Sequence, residues 1–216
     1  MCVILVCPPQ VRPGLDVLKA CHAANPHGAG VAWRQGDSVR WLKNLGPEEV
    51  AELIARLQGE IVVHFRWASV GGVDPRLCHP FPVNRGASVK LEGQAGRVLF
   101  HNGTWPGHKS ALEFVEGKQK RAVGGPISDS RVIALLVDHM RDNSVLEHLE
   151  GRFVLYSAKT TKLYGDWRTW GGMRVSNSGF VYEMERAERR ARWAQADDDA
   201  EQLALWAGGD ETEVAR

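Results

Sequence analysis

The sequence lacks an excess of charge of either sign, and it lacks any apolar run long enough to cross a bilayer. Its 27 basic and 26 acidic residues leave a formal net charge of +1, which excludes binding to nucleic acid through bulk positive charge. A membrane-spanning helix needs about 20 consecutive apolar residues, and no such stretch occurs. The first nine residues carry no basic leader, so we expect them to form a strand and not a signal peptide.

Cysteine is also scarce, and none of the four cysteines belongs to a C-x-x-C pair. They are Cys2, Cys7, Cys21 and Cys78. In a chain of 216 residues this usage favours a reducing, cytoplasmic setting, with a framework of two disulfides as the alternative. The eight histidines show no i, i+4 spacing, so the sequence predicts neither a metal site nor a cofactor.

The sequence does contain short apolar runs on both sides of a helical middle section. Hydrophobic residues make up 44% and charged residues 25% of the chain, which is typical of a globular domain. The patterns predict strands at 2–6, 31–33, 39–42, 61–67, 98–101, 152–158, 162–166, 173–176 and 180–182, and helices at 14–24, 47–57, 108–116 and 129–141. Residues 71–96 are rich in Gly and Pro and predict a long connection. This order indicates a layered α+β domain.

A change in composition after Tyr182 sets the predicted domain boundaries. Residues 1–182 form the main domain, and residues 183–216 form a charged C-terminal segment. Within that segment, Glu183 to Leu205 predicts a peripheral helix with a solvated face, and a frayed tail is expected from Gly208. The 34 residues after Tyr182 are too few for a synthase domain.

Cys2 occupies the position of an N-terminal nucleophile once Met1 is removed. The α-amine exposed by that removal titrates at about 7.7–8.0, so a useful fraction is neutral at cellular pH and acts as a base for the thiol. No histidine is then required as an external base. The alternative interpretation is that Cys2 is a small apolar residue in a buried strand.

Further positions carry groups suited to binding an amino acid and a developing oxyanion. Arg66 ends an apolar strand, and its planar guanidinium either grips a carboxylate or forms a structural ion pair. Asn102 and Gly103 follow another strand and could offer two N–H donors to one oxyanion, although Asn-Gly also predicts a hairpin turn. Asp129 either binds an ammonium group or caps and complements the start of the next helix.

Together these motifs resemble the class-II glutamine amidotransferase family, the Ntn-hydrolase type with an N-terminal cysteine. The resemblance extends from Cys2 to about Tyr182. Its elements are, in order, Cys2, the glycine-rich segment 25–33, His64 to Ser69 with Gly71, His79-Pro80-Phe81, His101-Asn102-Gly103, Ser128-Asp129-Ser130, Leu163 to Asp166 and Val175 to Asn177. The chain departs from the family pattern at Ser69, where Thr is usual, and at Arg131, where an acidic residue is common.

The resemblance implies a four-layer αββα sandwich of mainly antiparallel sheets covered by helices. It also implies that L-glutamine is the substrate, that its side-chain amide is attacked by the thiol, and that its two charged ends are recognised separately. The expected catalytic residues are Cys2, Asn102 and Gly103, and the expected substrate-binding residues are Arg66 (α-carboxylate), Asp129 (α-ammonium), Trp67 and His101.

The implied activity is that of a glutaminase, in which ammonia leaves and water releases glutamate from a γ-glutamyl thioester. Ammonia is expected to pass to a separate synthase or ligase, which the C-terminal helix could dock, unless the enzyme acts alone. Two other functions stay open: an Ntn amidase acting on another γ-glutamyl amide, and a catalytically idle binding or regulatory domain. The pair Arg66 and Asp129 favours a free amino acid as substrate, and the intact set of Cys2, Arg66, Asn102 and Gly103 argues against an idle domain.

Overall fold

A computed structural model gives the structure of the protein and describes residues 2–207. Two expectations, the removal of Met1 and the frayed tail from Gly208, lie outside the described residues. Within residues 2–207, no helix combines the length and the apolar character that crossing a membrane requires.

The larger sheet has seven strands, and all its pairings are antiparallel. Its spatial order is β10 (Arg168–Trp170), β11 (Met173–Val175), β1 (Val3–Cys7), β4 (Ile61–Phe65), β2 (Ala29–Gln35), β3 (Ser38–Leu45) and β6 (Glu92–Ala95). The strands at its centre, β1 and β4, are buried throughout, because they are covered on both faces.

The smaller sheet has four antiparallel strands and stacks against the larger one. Its order is β5 (Phe81–Pro82), β7 (Arg97–Asn102), β8 (Arg152–Ser157) and β9 (Thr161–Tyr164). The apolar side chains that pack between the two sheets are Ile4, Val6, Ala32, Val39, Trp41, Val62, Val98, Phe100, Val154 and Tyr156.

Helices cover the outer face of each sheet. The larger sheet packs against α1 (Leu15–Ala24), α2 (Pro47–Arg56) and the beginning of α5 (Gly179–Ala207). The smaller sheet packs against α3 (His108–Gln119) and α4 (Asp129–Met140). On β1, Val3 and Leu5 face the helices while Ile4 and Val6 face the other sheet, as the period of two requires. The α+β class and the four-layer αββα arrangement are therefore confirmed.

The strand predicted at 180–182 is wrong, because these residues form the first turn of α5. Phe180 is fully buried, and its ring meets the ring of Trp170 edge-on with centroids 5.0 Å apart. Met184 packs against the same core one helical turn later, which is helical and not strand spacing. A run of three apolar residues does not distinguish a strand from the start of a helix.

Residues 71–96, which the sequence predicted to be a long connection, contain more regular secondary structure than that prediction implied. They contain a 3-10 turn at Pro75–Leu77, strand β5 and edge strand β6. β6 pairs with β3 from Ala95 opposite Val39 to Glu92 opposite Leu42. Its sequence Glu-Gly-Gln-Ala has almost no apolar side chains. The alternation of apolar and polar residues by which a strand is predicted is therefore missing here.

Candidate active site

The pairing of β1 with β4 brings Cys2 and Arg66 to the same end of the larger sheet. The register places Val3 opposite Phe65, so the residue before β1 and the residue after β4 lie side by side. A small, narrow pocket opens at this end. It is lined by Cys2, Arg66, Trp67, Ser69, Val70, Leu77, His79, His101, Gly103, Ser128, Asp129 and Ser130.

The thiol of Cys2 is partly buried and is held by the backbone of Trp67. The Trp67 N–H donates to Sγ at 3.3 Å, and the thiol donates to the Trp67 carbonyl at 3.4 Å. Asn177 fixes the Cys2 backbone, because its Nδ2 donates to the Cys2 carbonyl. Burial raises the pKa of the thiol, while the hydrogen bond from Trp67 and the charge of Arg66 act in the opposite direction.

Arg66 is 3% exposed and only part of its guanidinium is bonded. Nη2 donates to the carbonyls of Gly72 at 2.8 Å and Val70 at 3.4 Å. Nη1 has no hydrogen-bond partner among the described residues. A buried donor of this kind is costly unless a ligand completes it, so Arg66 presents a free binding group in the pocket.

Gly103 lines the pocket, and Asn102 directly precedes it at the end of β7. The two residues do not form a hairpin turn, since the partner of β7 is β8, which begins at Arg152. A Cβ on Gly103 would stand 2.7 Å from Nε2 of His101 and 3.1 Å from Cα of Gly151. Only glycine therefore fits here while leaving the backbone N–H of this position accessible.

The side chain of Asn102 is hydrogen-bonded to Ser176. Its Nδ2 lies 2.8 Å from Oγ of Ser176, which also accepts from the N–H of Ile4 at 2.8 Å. Its Oδ1 has no partner among the described residues. A turn of the amide by 180° lets the Ser176 hydroxyl donate to Oδ1 and releases Nδ2 as a free donor.

Asp129 is buried in the first turn of α4 and contributes its carboxylate to the pocket lining. Oδ2 accepts from the N–H of Trp105 at 2.9 Å, and Oδ1 accepts from the N–H of Ser130 at 2.9 Å. The cap of α4 is Ser128, whose Oγ accepts from the N–H of Arg131 at 3.2 Å. The capping role considered for Asp129 thus belongs to its neighbour.

His101 lines the pocket as expected and is held in place by two contacts. Nδ1 lies 3.0 Å from the hydroxyl of Ser130. The ring stacks on Phe153 with centroids 4.7 Å apart. Burial lowers the pKa of His101 to about 4, so the imidazole is neutral at cellular pH and Nε2, which has no partner in the described chain, faces Gly103 and Gly151.

Two further histidines belong to the site, although the sequence showed them only as parts of motifs. His64 and His79 are buried with ring centroids 4.1 Å apart, and His79 lines the pocket. Burial lowers the pKa of His64 to about 3 and that of His79 well below its usual value. Both rings are neutral, and their nitrogens have no partner in the described chain. A histidine inside an apolar strand is the signal that could have identified His64.

Trp67 also lines the pocket. Its side chain is 47% exposed, and its ring lies against that of His27 with centroids 5.4 Å apart. Nδ1 of His27 accepts from the N–H of Ala68 at 2.9 Å. These contacts hold the segment that follows Arg66 in place. They therefore also fix the Trp67 backbone groups that are hydrogen-bonded to Sγ of Cys2.

Arg131, a departure from the family pattern, faces away from the pocket and supports two loops. Its guanidinium donates to the carbonyls of Gly86, Ala87, Gly124 and Pro126 at 2.8–3.1 Å. Because all these bonds go to neutral carbonyls, burial lowers the pKa of Arg131. Arg131 therefore holds the first turn of α4 in place without competing for the carboxylate of Asp129.

Of the seven residues predicted for the site, six line this pocket, and Asn102 directly precedes the lining residue Gly103 in sequence. A second, wider groove lies on the protein surface. It includes Ser176 and Asn177, which bond Asn102 and Cys2 respectively. The smaller pocket holds the thiol, so we take it as the candidate active site.

Comparisons with known proteins identify the fold. No protein-family model and no curated protein matches the sequence. A solved structure of the allosteric regulatory enzyme of purine biosynthesis aligns with a TM-score of 0.58 and 18% identity, covering 86% of this chain and 43% of that one. A glutamine phosphoribosylpyrophosphate (PRPP) amidotransferase from B. subtilis, complexed with ADP and GMP, aligns with a TM-score of 0.54 and 15% identity, covering 81% and 41%.

This chain shares the fold of these two structures. The likeness confirms the four-layer, Ntn-hydrolase-like fold that the resemblance implied. At 15–18% identity the likeness establishes the fold alone. The chain also spans about two fifths of the length of these enzymes, so the activity must be argued from the pocket.

Proposed function

We propose that the protein hydrolyses L-glutamine to glutamate and ammonia through a γ-glutamyl thioester on Cys2. One observation carries this proposal: the pocket that holds the thiol also holds a buried guanidinium with an unpartnered Nη1 and a buried carboxylate. A free amino acid presents the two opposite charges that these groups would bind. The amidotransferase fold supports the same class of reaction.

Substrate binding follows from the groups that face the pocket. Nη1 of Arg66 donates to the α-carboxylate of glutamine and so satisfies its missing hydrogen bond. The carboxylate of Asp129 keeps lone pairs beyond its two backbone bonds and accepts from the α-ammonium. Trp67 and His101 complete the walls of the pocket. The side-chain amide is then the part of glutamine that reaches the thiol.

Catalysis requires a thiolate at Cys2 and two donors for the oxyanion. Removal of Met1 gives Cys2 an α-amine, which takes the thiol proton and later passes it to the departing ammonia. The thiolate attacks the amide carbon, and the oxyanion accepts from the N–H of Gly103 and from Nδ2 of Asn102 in its turned orientation. Ammonia leaves, a water molecule adds to the thioester, and glutamate departs with the thiol regenerated.

The fate of ammonia belongs to the same proposal. We infer that a separate synthase or ligase accepts it, as the resemblance to class-II glutamine amidotransferases implies. We also propose a cytoplasmic location, which suits an enzyme that depends on a reduced thiol and whose four cysteines are free.

Glutamate release from L-glutamine tests the activity directly. The purified protein is expected to produce glutamate and ammonia in equal amounts, and Cys2→Ala is expected to abolish both. Cys78→Ala is the matched control, because Cys78 is also a free thiol but lies outside the pocket, and it should retain the activity. Turnover of γ-glutamyl peptides with none of free glutamine would instead support an Ntn amidase.

A further inference from the structure

Helix α5 extends far beyond the domain to which its first turns are attached. It has 29 residues, and at 1.5 Å per residue its length is about 43 Å. Phe180, Val181 and Met184 join the core beside α1. From Glu185 to Ala200 every residue is exposed. Residues up to Arg190 line a groove together with α1, and the exposed helix continues for ten more residues to Ala200.

A helix that projects in this way gains little from its own hydrogen bonds, because isolated helices are marginal in water. Three side-chain pairs support α5 from within: Arg186 with Glu183, Arg192 with Glu188, and Gln195 with Asp199. Such pairs contribute only a few tenths of a kcal/mol each. Tertiary or intermolecular packing normally supplies the remainder. Beyond Arg190, the last residue of α5 in the groove against α1, residues 191–200 are all exposed.

One stripe of α5 has the composition of a contact surface. With about 100° between successive residues, Arg189, Trp193 and Asp197 lie within about 40° of a common line. Trp193 is 72% exposed. Neither Arg189 nor Asp197 is in an ion pair with another described residue. The line lies opposite Met184, the side chain that faces the domain core, so the stripe points to solvent.

The charges of the stripe match those of a second, antiparallel copy of the same stripe. Arg189 stands four residues before Trp193 and Asp197 stands four residues after it. A second α5 laid antiparallel, with a twofold axis at Trp193, places each Arg189 opposite an Asp197 on either side of a central pair of tryptophans. Twofold interfaces have this property of matching one patch with itself. A parallel arrangement would instead bring like charges together.

We propose that the exposed stripe of α5 (Arg189, Trp193 and Asp197) binds a second copy of this chain in antiparallel orientation. The two tryptophans supply apolar contact area at the centre, since aromatic side chains dominate small interfaces. The two Arg189–Asp197 pairs set the orientation and the register. The inference does not depend on the glutaminase proposal, and its test does not use enzyme activity.

Charge reversal tests the pairing, with the mass of the full chain in solution measured by analytical ultracentrifugation over a range of concentrations. Wild type is expected to be a dimer whose dissociation constant rises with salt. Arg189→Asp and Asp197→Arg each create like-charge contacts and should weaken the dimer at least about tenfold. The double variant restores both pairs in reversed order and should return to within about threefold of wild type.

Asp198→Arg provides the matched control, because it makes the same charge change one position away. Asp198 lies about 140° round the helix from Trp193, so this variant should dimerise like wild type. Circular dichroism checks that each variant keeps α5. The proposal is overturned if wild type is a monomer throughout, which would leave α5 for a different partner, or if the double variant remains as weak as the single ones.

Discussion

The backbone nitrogen of Trp67 lies 3.3 Å from the sulfur of Cys2 and donates a hydrogen bond to it. The proposed nucleophile is therefore positioned by the residue that directly follows Arg66, the group proposed to bind the α-carboxylate of glutamine. This bond also favours the thiolate, against the effect of burial. One short segment at the end of β4 thus fixes the Cys2 sulfur relative to the proposed carboxylate-binding group.

Replacing Arg66 by lysine should weaken glutamine binding much more than it slows the chemistry. Lysine keeps a positive charge but lacks the second nitrogen that would bond the α-carboxylate. A charge-assisted hydrogen bond contributes about 1.5–3 kcal/mol, so KM is expected to rise roughly 10- to 100-fold. Steady-state kinetics with glutamine measures this. Arg97→Lys is the control, since Arg97 bonds Asn143 away from the pocket; an equal rise in KM there would refute the assignment.

Removing the amide of Asn102 should lower kcat and leave KM nearly unchanged. Loss of one oxyanion donor typically costs about 100- to 1,000-fold in kcat, and Asn102→Ala is expected in this range. Ser176→Ala should give a smaller fall, because it removes only the hydroxyl that orients the amide. Activity of Asn102→Ala within a few-fold of wild type would show that Asn102 has no such role.

A methyl group at Gly103 should damage the site, whereas the same change elsewhere should be harmless. In Gly103→Ala the added Cβ would stand 2.7 Å from Nε2 of His101, so His101 or the strand end must move and the oxyanion donor moves with it. Gly117→Ala is the control, because nothing lies within 4 Å of the added Cβ in the exposed helix α3. We expect Gly103→Ala to lose activity and melt earlier, and Gly117→Ala to gain about 0.5–1 kcal/mol of stability.

The buried histidines should make the protein less stable in mild acid. The folded pKa of His64 is about 3 and that of His101 about 4, both below the unfolded value of about 6.5. Between these values the unfolded chain binds more protons, so stability rises with pH up to about 6.5. From pH 6.5 to pH 5 the free energy of unfolding should fall by about 1.5 kcal/mol for each such histidine.

Urea unfolding at the two pH values measures this loss, and His64→Gln provides the comparison. Glutamine does not titrate in this range, so the variant should lose less stability on acidification than wild type does. The same loss in both proteins would mean that His64 does not titrate as its burial requires.

The patterns in the sequence predicted the α+β class, and the resemblance to a known family supplied the four layers and the candidate site residues. Arg66 ends an apolar strand, and Asp129 follows a capping serine, so both positions are marked by nearby residues. The sequence contains no such signal for edge strand β6 or for the role of Arg131. β6 is defined by its pairing with β3, and Arg131 by carbonyls on the loop just before α4 and on a loop more than 40 residues away. Contacts between residues far apart in sequence cannot be deduced from periodicity.

The orientation of Asn102 shows the same limit within the site. Its identity and its place at the end of a strand were evident from the sequence, but its contact with Ser176 was not, because the two residues are 74 positions apart. Likewise, the placement of His79 against His64 depends on the path of the chain between β4 and β5.

The role of Cys2 as the nucleophile of a glutamine site is tested most directly by the intact mass of the purified protein. The mass is measured before and after treatment with 6-diazo-5-oxo-L-norleucine, a glutamine-like reagent that alkylates an activated thiol. We expect a mass lacking Met1, a single adduct that maps to Cys2, and protection by L-glutamine. Cys2→Ala should remain unmodified. A protein that lacks Met1 and takes up no adduct, or one that retains Met1 and stays unmodified, would contradict the claim that Cys2 is the nucleophile of a glutamine-hydrolysing site.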